Sequence, residues 1–129
     1  MKRFICLLLS IFTLAFFAGC GKKVNKYYTD QEVKAIQKTV EVLDDLLNYD
    51  ISAEDAIAII EQCAESLPDE DGHYVKLSLN SNAMRLDSMW LLAEIEAIDI
   101  YGKGKPKLTA SDYEDIRDMK KDWEDRLYK

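Results

Sequence analysis

Past residue 28, the apolar residues recur at steps of three and four, the spacing that lines one side of an α-helix. Val33, Ile36, Val40, Leu43 and Leu47 form a first stripe, widened by Leu46. Thr29 followed three residues on by Glu32 has capping-box spacing, and Tyr28 against Val33 has staple spacing, so a helix is expected from about Asp30 to about Asn48. Lys34, Lys38, Glu41 and Asp45 fall on its solvated side. Asn48-Tyr49-Asp50 breaks the rhythm, and Ser52 with Asp55 offers the next N-cap. Ala53, Ala56, Ile57, Ile60, Cys63, Ala64 and Leu67 then share a second stripe that Pro68 closes. So short a connection favours antiparallel neighbours.

After the acidic turn at Asp69 to Gly72 the period changes. Val75, Leu77 and Leu79 alternate with Lys76, Ser78 and Asn80, as in a half-buried strand, yet the pattern holds no second strand to pair with. Residues 73–81 are expected to be an extended or irregularly helical lead-in, with a long helix from near Asp71 as the competing reading. From about Asn82, Met84, Leu91, Ile95 and Ile98 mark one apolar line, and Leu86, Trp90, Ala93, Ala97 and Tyr101 mark an adjacent one. So wide an apolar arc predicts a central helix covered on more than one side, ended by Gly102. Lys103 to Lys107 reads as a basic loop. Thr109 with Asp112 caps a last helix, Leu108 staples against Tyr113, and Tyr113, Ile116, Met119, Trp123 and Leu127 form its inner stripe. Asp122 and Arg126 stand at i,i+4 in the favourable order. The fold class is all-α: a small up-and-down bundle of three to four helices behind an N-terminal segment of different character, with no internal repeat.

That segment has its own pattern. Lys2 and Arg3 form a positive head, Phe4 to Phe17 are apolar apart from Ser10 and Thr13, and Phe17-Ala18-Gly19-Cys20 ends the run in two small residues and a cysteine. The segment resembles a bacterial lipoprotein signal peptide, with Phe17 where leucine is usual in the lipobox. The resemblance covers the first 20 residues and implies cleavage before Cys20, a diacylglyceryl group on its sulfur, and a location on the extracytoplasmic face of the cell membrane. The domain organisation is then 1–19 signal peptide, 20–28 lipidated cysteine and linker, and 29–129 a single helical domain. An uncleaved transmembrane helix is the competing reading, because Phe4 to Gly21 runs 18 residues without a charge.

Composition narrows what the domain can do. Two of the 17 basic residues and none of the 24 acidic ones lie in residues 1–19, so 15 against 24 remain and the net charge is −9. A basic stripe for nucleic acid is absent. Of the three cysteines, Cys6 leaves with the signal and Cys20 takes lipid, so Cys63 stands alone and is expected to be a buried, inert thiol. All four Phe residues lie in the signal, which leaves seven Tyr and two Trp as the aromatic stock of the bundle. With no Phe to fill the core, these residues are expected mainly as core filler.

His73 is the single histidine, so a two-histidine zinc site does not assemble within one chain. Glu70 to His73 is one E-x-x-H where a di-iron bundle needs two. Asp69 to Gly72 resembles a calcium loop, but its first and twelfth positions would fall on Leu67 and Ser78. No phosphate loop and no cofactor motif is present. The expectation is a noncatalytic, lipid-anchored module that presents a face, with Trp90, Tyr101 and Tyr74 as candidates, to another envelope protein. The alternative is a small-ligand binder with an aromatic interhelical groove near Trp90.

Overall fold

The computed structural model describes residues 23–69, 74–101 and 106–128, with residues 98–101 described by backbone alone. Four helices make up the fold: α1 (Asp30–Leu47), α2 (Ala53–Glu65), α3 (Val75–Tyr101) and α4 (Ala110–Leu127). They form an all-α, up-and-down bundle. The expected signal segment with its lipobox, residues 70–73 and Gly102 to Lys105 lie outside the described residues.

The helices start where their caps dictate. Thr29 Oγ1 accepts the Glu32 amide at 3.2 Å while Glu32 Oε1 accepts the Thr29 amide at 3.0 Å, closing the box at the head of α1. Ser52 accepts the Asp55 amide at 3.2 Å, and Thr109 and Asp112 exchange bonds of 3.1 and 2.8 Å. Each of these caps satisfies amides that have no partner inside the helix, and a single one is worth about 1 kcal/mol. The turn after α1 is a Schellman closure: Asp50 donates to the Asp45 carbonyl at 2.8 Å and Tyr49 to that of Leu46 at 3.2 Å. Tyr49 takes the left-handed position with φ of 62°. A non-glycine residue there costs about 1–2 kcal/mol. The Tyr49 ring meets Tyr113 of α4 edge-on at 5.4 Å, an arrangement worth about 0.5–1.5 kcal/mol that offsets part of that cost.

Packing runs from α4 to α1, from α1 to α2, and from α2 to α3. This corrects the expected centre of the bundle: α1 and α2 each have two main packing partners, while α3 packs chiefly on α2. The core brings together Ile36, Leu43, Ile60, Leu79, Leu86, Ile116, Trp123 and Leu127. On α1 the inner face is centred on Ile36, Thr39, Val42, Leu43 and Leu46, while Val33, Val40 and Leu47 form its margins. Thr39 is fully buried, and its hydroxyl donates to the Ala35 carbonyl at 2.8 Å, so its own donor is met inside the core. Cys63, expected within the α2 stripe, is half-buried at the core margin.

Residues 75–81 are regular α-helix, so the extended or irregular lead-in is replaced by a single helix of 27 residues beginning at Val75. Lys76 fixes its start, donating to the Leu67 carbonyl at 3.1 Å and pairing with Asp69 at 2.8 Å. At the other end of α2, Trp90 Nε1 donates to Glu54 Oε1 at 3.2 Å. These two links set α2 and α3 antiparallel and show that α3 runs on past the start of α2 after Trp90. Arg85 reaches Asp115 of α4 at 3.4 Å.

The chain entering α1 is fastened to the end of α4. Asn25 donates its amide to the Leu127 carbonyl at 2.7 Å and its side-chain nitrogen to that of Arg126 at 3.2 Å. Val24 and Tyr28 pack against the core, so the linker is docked from Val24 onward. Asp122 and Arg126 form the expected pair at 3.1 Å, and the Arg126 guanidinium lies 5.2 Å from the centre of the Trp123 ring.

Trp123 is the largest fully buried side chain, and its indole N–H has no hydrogen-bond acceptor among the described residues. Trp123→Ala is expected to destabilise the fold by about 3–5 kcal/mol. Trp123→Phe should cost clearly less, because it removes volume but no hydrogen bond. Urea unfolding followed by circular dichroism separates the two.

Candidate functional site

The most unusual surface of the molecule is on α3. Its inner side, Val75, Leu79, Ala83, Leu86, Met89, Ala93 and Ala97, is buried. Its opposite side is also apolar but open: Met84 is 71% exposed, Leu77 65%, Leu92 60%, Leu91 54% and Ile95 46%. Scattered exposed leucines need no explanation, but five large apolar residues along one helix face form a contiguous patch of the kind that marks an interaction site. Met84, Leu91 and Ile95, expected to be covered, are the open line; the side chain of Ile98 lies outside the described residues.

The candidate residues from the sequence do not gather into one site. Trp90 is half-buried and is engaged with Glu54 of α2. Tyr74 is exposed just before α3, its carbonyl accepting the Ser78 amide at 2.9 Å. Trp90 lies sixteen positions further along, about 24 Å at 1.5 Å per residue. The Tyr101 side chain lies outside the described residues. The expectation that aromatics serve mainly as core filler holds for Trp123; Tyr28, Tyr113 and Tyr128 pack at the core margin, and Tyr27, Tyr49 and Tyr74 face solvent.

A shallow open depression of about 380 Å³ lies between α1 and α4, lined by Asp44, Leu47, Asn48, Arg117, Lys120, Lys121 and Glu124. Its chemistry is that of an ion-pair seam. Lys120 Nζ sits 2.9 Å from Asp44 and 3.5 Å from Glu124, and the hydrogen bond it donates to Asp44 raises the Lys120 pKa above its ordinary value against the opposing effect of burial. A lysine held so firmly as the cation is a poor base or nucleophile. Asp44, Asp45 and Asp50 crowd the C-terminal end of α1, where the helix dipole disfavours negative charge and the last turn holds no basic residue. Lys120 reaches across from α4 to supply the missing cation. Partial burial first, then Glu41, Asp50 and Asp44, push the Asp45 carboxyl above its usual range.

Burial also raises the Cys63 thiol, with Thr39 and Lys38 opposing weakly, so the thiolate needed for reaction is suppressed. Among the described residues no group of three or more His, Cys, Asp or Glu side chains is placed to hold a metal ion. The E-x-x-H sequence and most of the acidic turn lie outside those residues. No described helix is long and apolar enough to cross a membrane.

Two outcomes test this description. Leu91→Glu on the open face of α3 should change unfolding free energy by no more than about 0.5 kcal/mol, the range for exposed positions. The raised pKa of Asp45 means that the folded chain binds this proton more tightly than the unfolded chain does. Its charge therefore opposes folding at neutral pH, and that opposition fades as pH falls through the raised value. Asp45→Asn should accordingly raise the melting temperature over the parent at pH 7, with the gain disappearing at pH 3.

No family model, curated protein or solved structure matches the chain, and its function has to be read from the chemistry of its own residues.

Proposed function

We propose that this protein is a noncatalytic lipoprotein of the cell envelope, anchored through Cys20 on the extracytoplasmic face of the membrane and acting as a protein-interaction module. The single observation that carries the interaction part is the second, uncovered apolar face of α3. A helix apolar on opposite sides exposes one of them to water unless a partner covers it, and that cost is relieved only by docking. The anchoring part is supported by the positive head, the apolar run and the small-small-cysteine ending of residues 1–20.

Membrane attachment and docking fit together physically. The net charge of −7 for the whole sequence gives the protein no general attraction to anionic lipid, so attachment falls to acyl chains, two or more of which hold stably. Catalysis has less support, since reactive groups are expected in a cleft with a pKa set for the task. Here the Cys63 thiol is shifted away from reactivity and Lys120 is locked in an ion pair. The small-ligand reading has less support too, because the Trp90 indole is engaged with Glu54.

Metabolic labelling with an alkyne analogue of palmitate tests the anchor. The intact chain should take up label and Cys20→Ala should lose it; a variant that still labels would falsify the lipoprotein reading. Photo-crosslinking from Leu91 in whole cells tests the interaction. A discrete crosslinked protein species is expected, and none from an equivalent probe at Glu61 on α2.

A further inference from the structure

The open face of α3 has a register of its own. Leu77, Met84 and Leu91 lie seven residues apart, and Ser81, Ser88 and Ile95 fall four residues after each of them. This is the a/d alternation of a coiled coil, with Leu77, Met84 and Leu91 at d and Ser81, Ser88 and Ile95 at a. All six are exposed, on the side of α3 opposite the core. The Ser88 hydroxyl already donates to the Met84 carbonyl at 3.0 Å, so it enters a dry interface without losing a bond to water.

Resting on the reading of this face as a docking surface, we infer that its occupant is a second copy of this chain, joined α3 to α3 in parallel as a short two-stranded coiled coil. The pattern is self-complementary. Leucine at d with a β-branched residue at a favours two parallel strands, and Leu91 and Ile95 supply that pair. Between Leu77 and Ile95 the margins hold no like-charge pair in the parallel arrangement, while just beyond Ile95 position 94 falls opposite position 99, both acidic. In a parallel pair, Asn80 lies beside Arg85 of the second copy and Asp87 beside its Leu92. In an antiparallel pair, Arg85 meets Arg85 and Asp87 meets Asp87. Arg85 is drawn toward Asp115 of its own chain at 3.4 Å, which leaves the seam clear. A membrane surface is the poorer occupant, because the margin formed by Asp87 and Glu94 is acidic and anionic headgroups repel it.

The seam is short, about 27 Å from Leu77 to Ile95 at 1.5 Å per residue, and two serines occupy core positions. Its affinity in free solution is therefore weak. Tethering on one membrane changes this, since joining sites by short connections gives effective concentrations on the order of millimolar. Parallel α3 helices also keep both docked linkers at the same end of the pair, where one membrane serves both copies.

Mild oxidation of the full-length chain in the membranes of expressing cells tests the inference. Met84→Cys places thiols opposite each other at a d position, and a disulfide-linked homodimer is expected at several times the yield from Glu61→Cys on the outer face of α2. Adding Leu91→Glu to the Met84→Cys chain should abolish the homodimer while leaving the circular dichroism unchanged. Mixed Met84→Cys and Ser88→Cys copies that link to each other, with no link in either alone, would mean antiparallel pairing and overturn the parallel seam. A Met84→Cys adduct with a different polypeptide overturns self-association but leaves the docking reading standing. No adduct of any kind overturns both.

Discussion

The fold depends on a close contact between a short helix and a long one. α2 offers Ala53, Ala56 and Ala64 around Ile57 and Ile60, and α3 answers with Ala83 between Leu79 and Leu86. Small residues at the crossing let the backbones approach, while the branched residues between them fill the space to the density of an interior. The lengths do not match: α2 has 13 residues and α3 has 27. Lys76 and Trp90 mark the stretch of α3 that α2 spans. Beyond Trp90 the helix continues without its main partner, and on the far side it has none among the described residues. The open surface is thus a consequence of topology, because α3 packs chiefly on α2 and carries a second apolar face that no other described helix covers.

Around this core the polar groups act as fasteners at the helix ends. Three capped starts, the Schellman turn with Tyr49 against Tyr113, Lys76 on the Leu67 carbonyl and Lys120 among the α1 carboxylates each serve a terminus. Individually these are small contributions, since exposed ion pairs are worth at most about 1 kcal/mol. Their effect is to fix register: they determine which turn of one helix lies against which turn of the next, something the nondirectional hydrophobic contacts leave open.

Much of this architecture was legible from local chemistry. The caps at Thr29, Ser52 and Thr109 announced three helix starts because a side chain that accepts the amide three residues on is a short-range signal. Two misreadings share one cause. Val75, Leu77 and Leu79 alternate like a strand because a helix with apolar stripes on opposite sides also puts apolar residues two apart, first on one side and then on the other. The same two-sidedness suggested a buried central helix, since sequence records that both sides are apolar but not whether both are covered. Thr39 hid the centre of the α1 face because a hydroxyl reads as polar until its bond to Ala35 is known. The open seam had a signal in the seven-residue recurrence of Leu77, Met84 and Leu91, which the strand-like reading of the first of them obscured.

The bonds from Asn25 to Leu127 and Arg126 join the two ends of the bundle, which are about a hundred residues apart in sequence. On the proposed export route this sets an order of events. Asn25 gains these two partners only after the last turn of α4 has formed, so the clasp on the residues ahead of α1 is a late, long-range contact. Closing the bundle therefore waits on its final turn, and a chain that stopped short of Leu127 would lose the clasp on the residues ahead of α1.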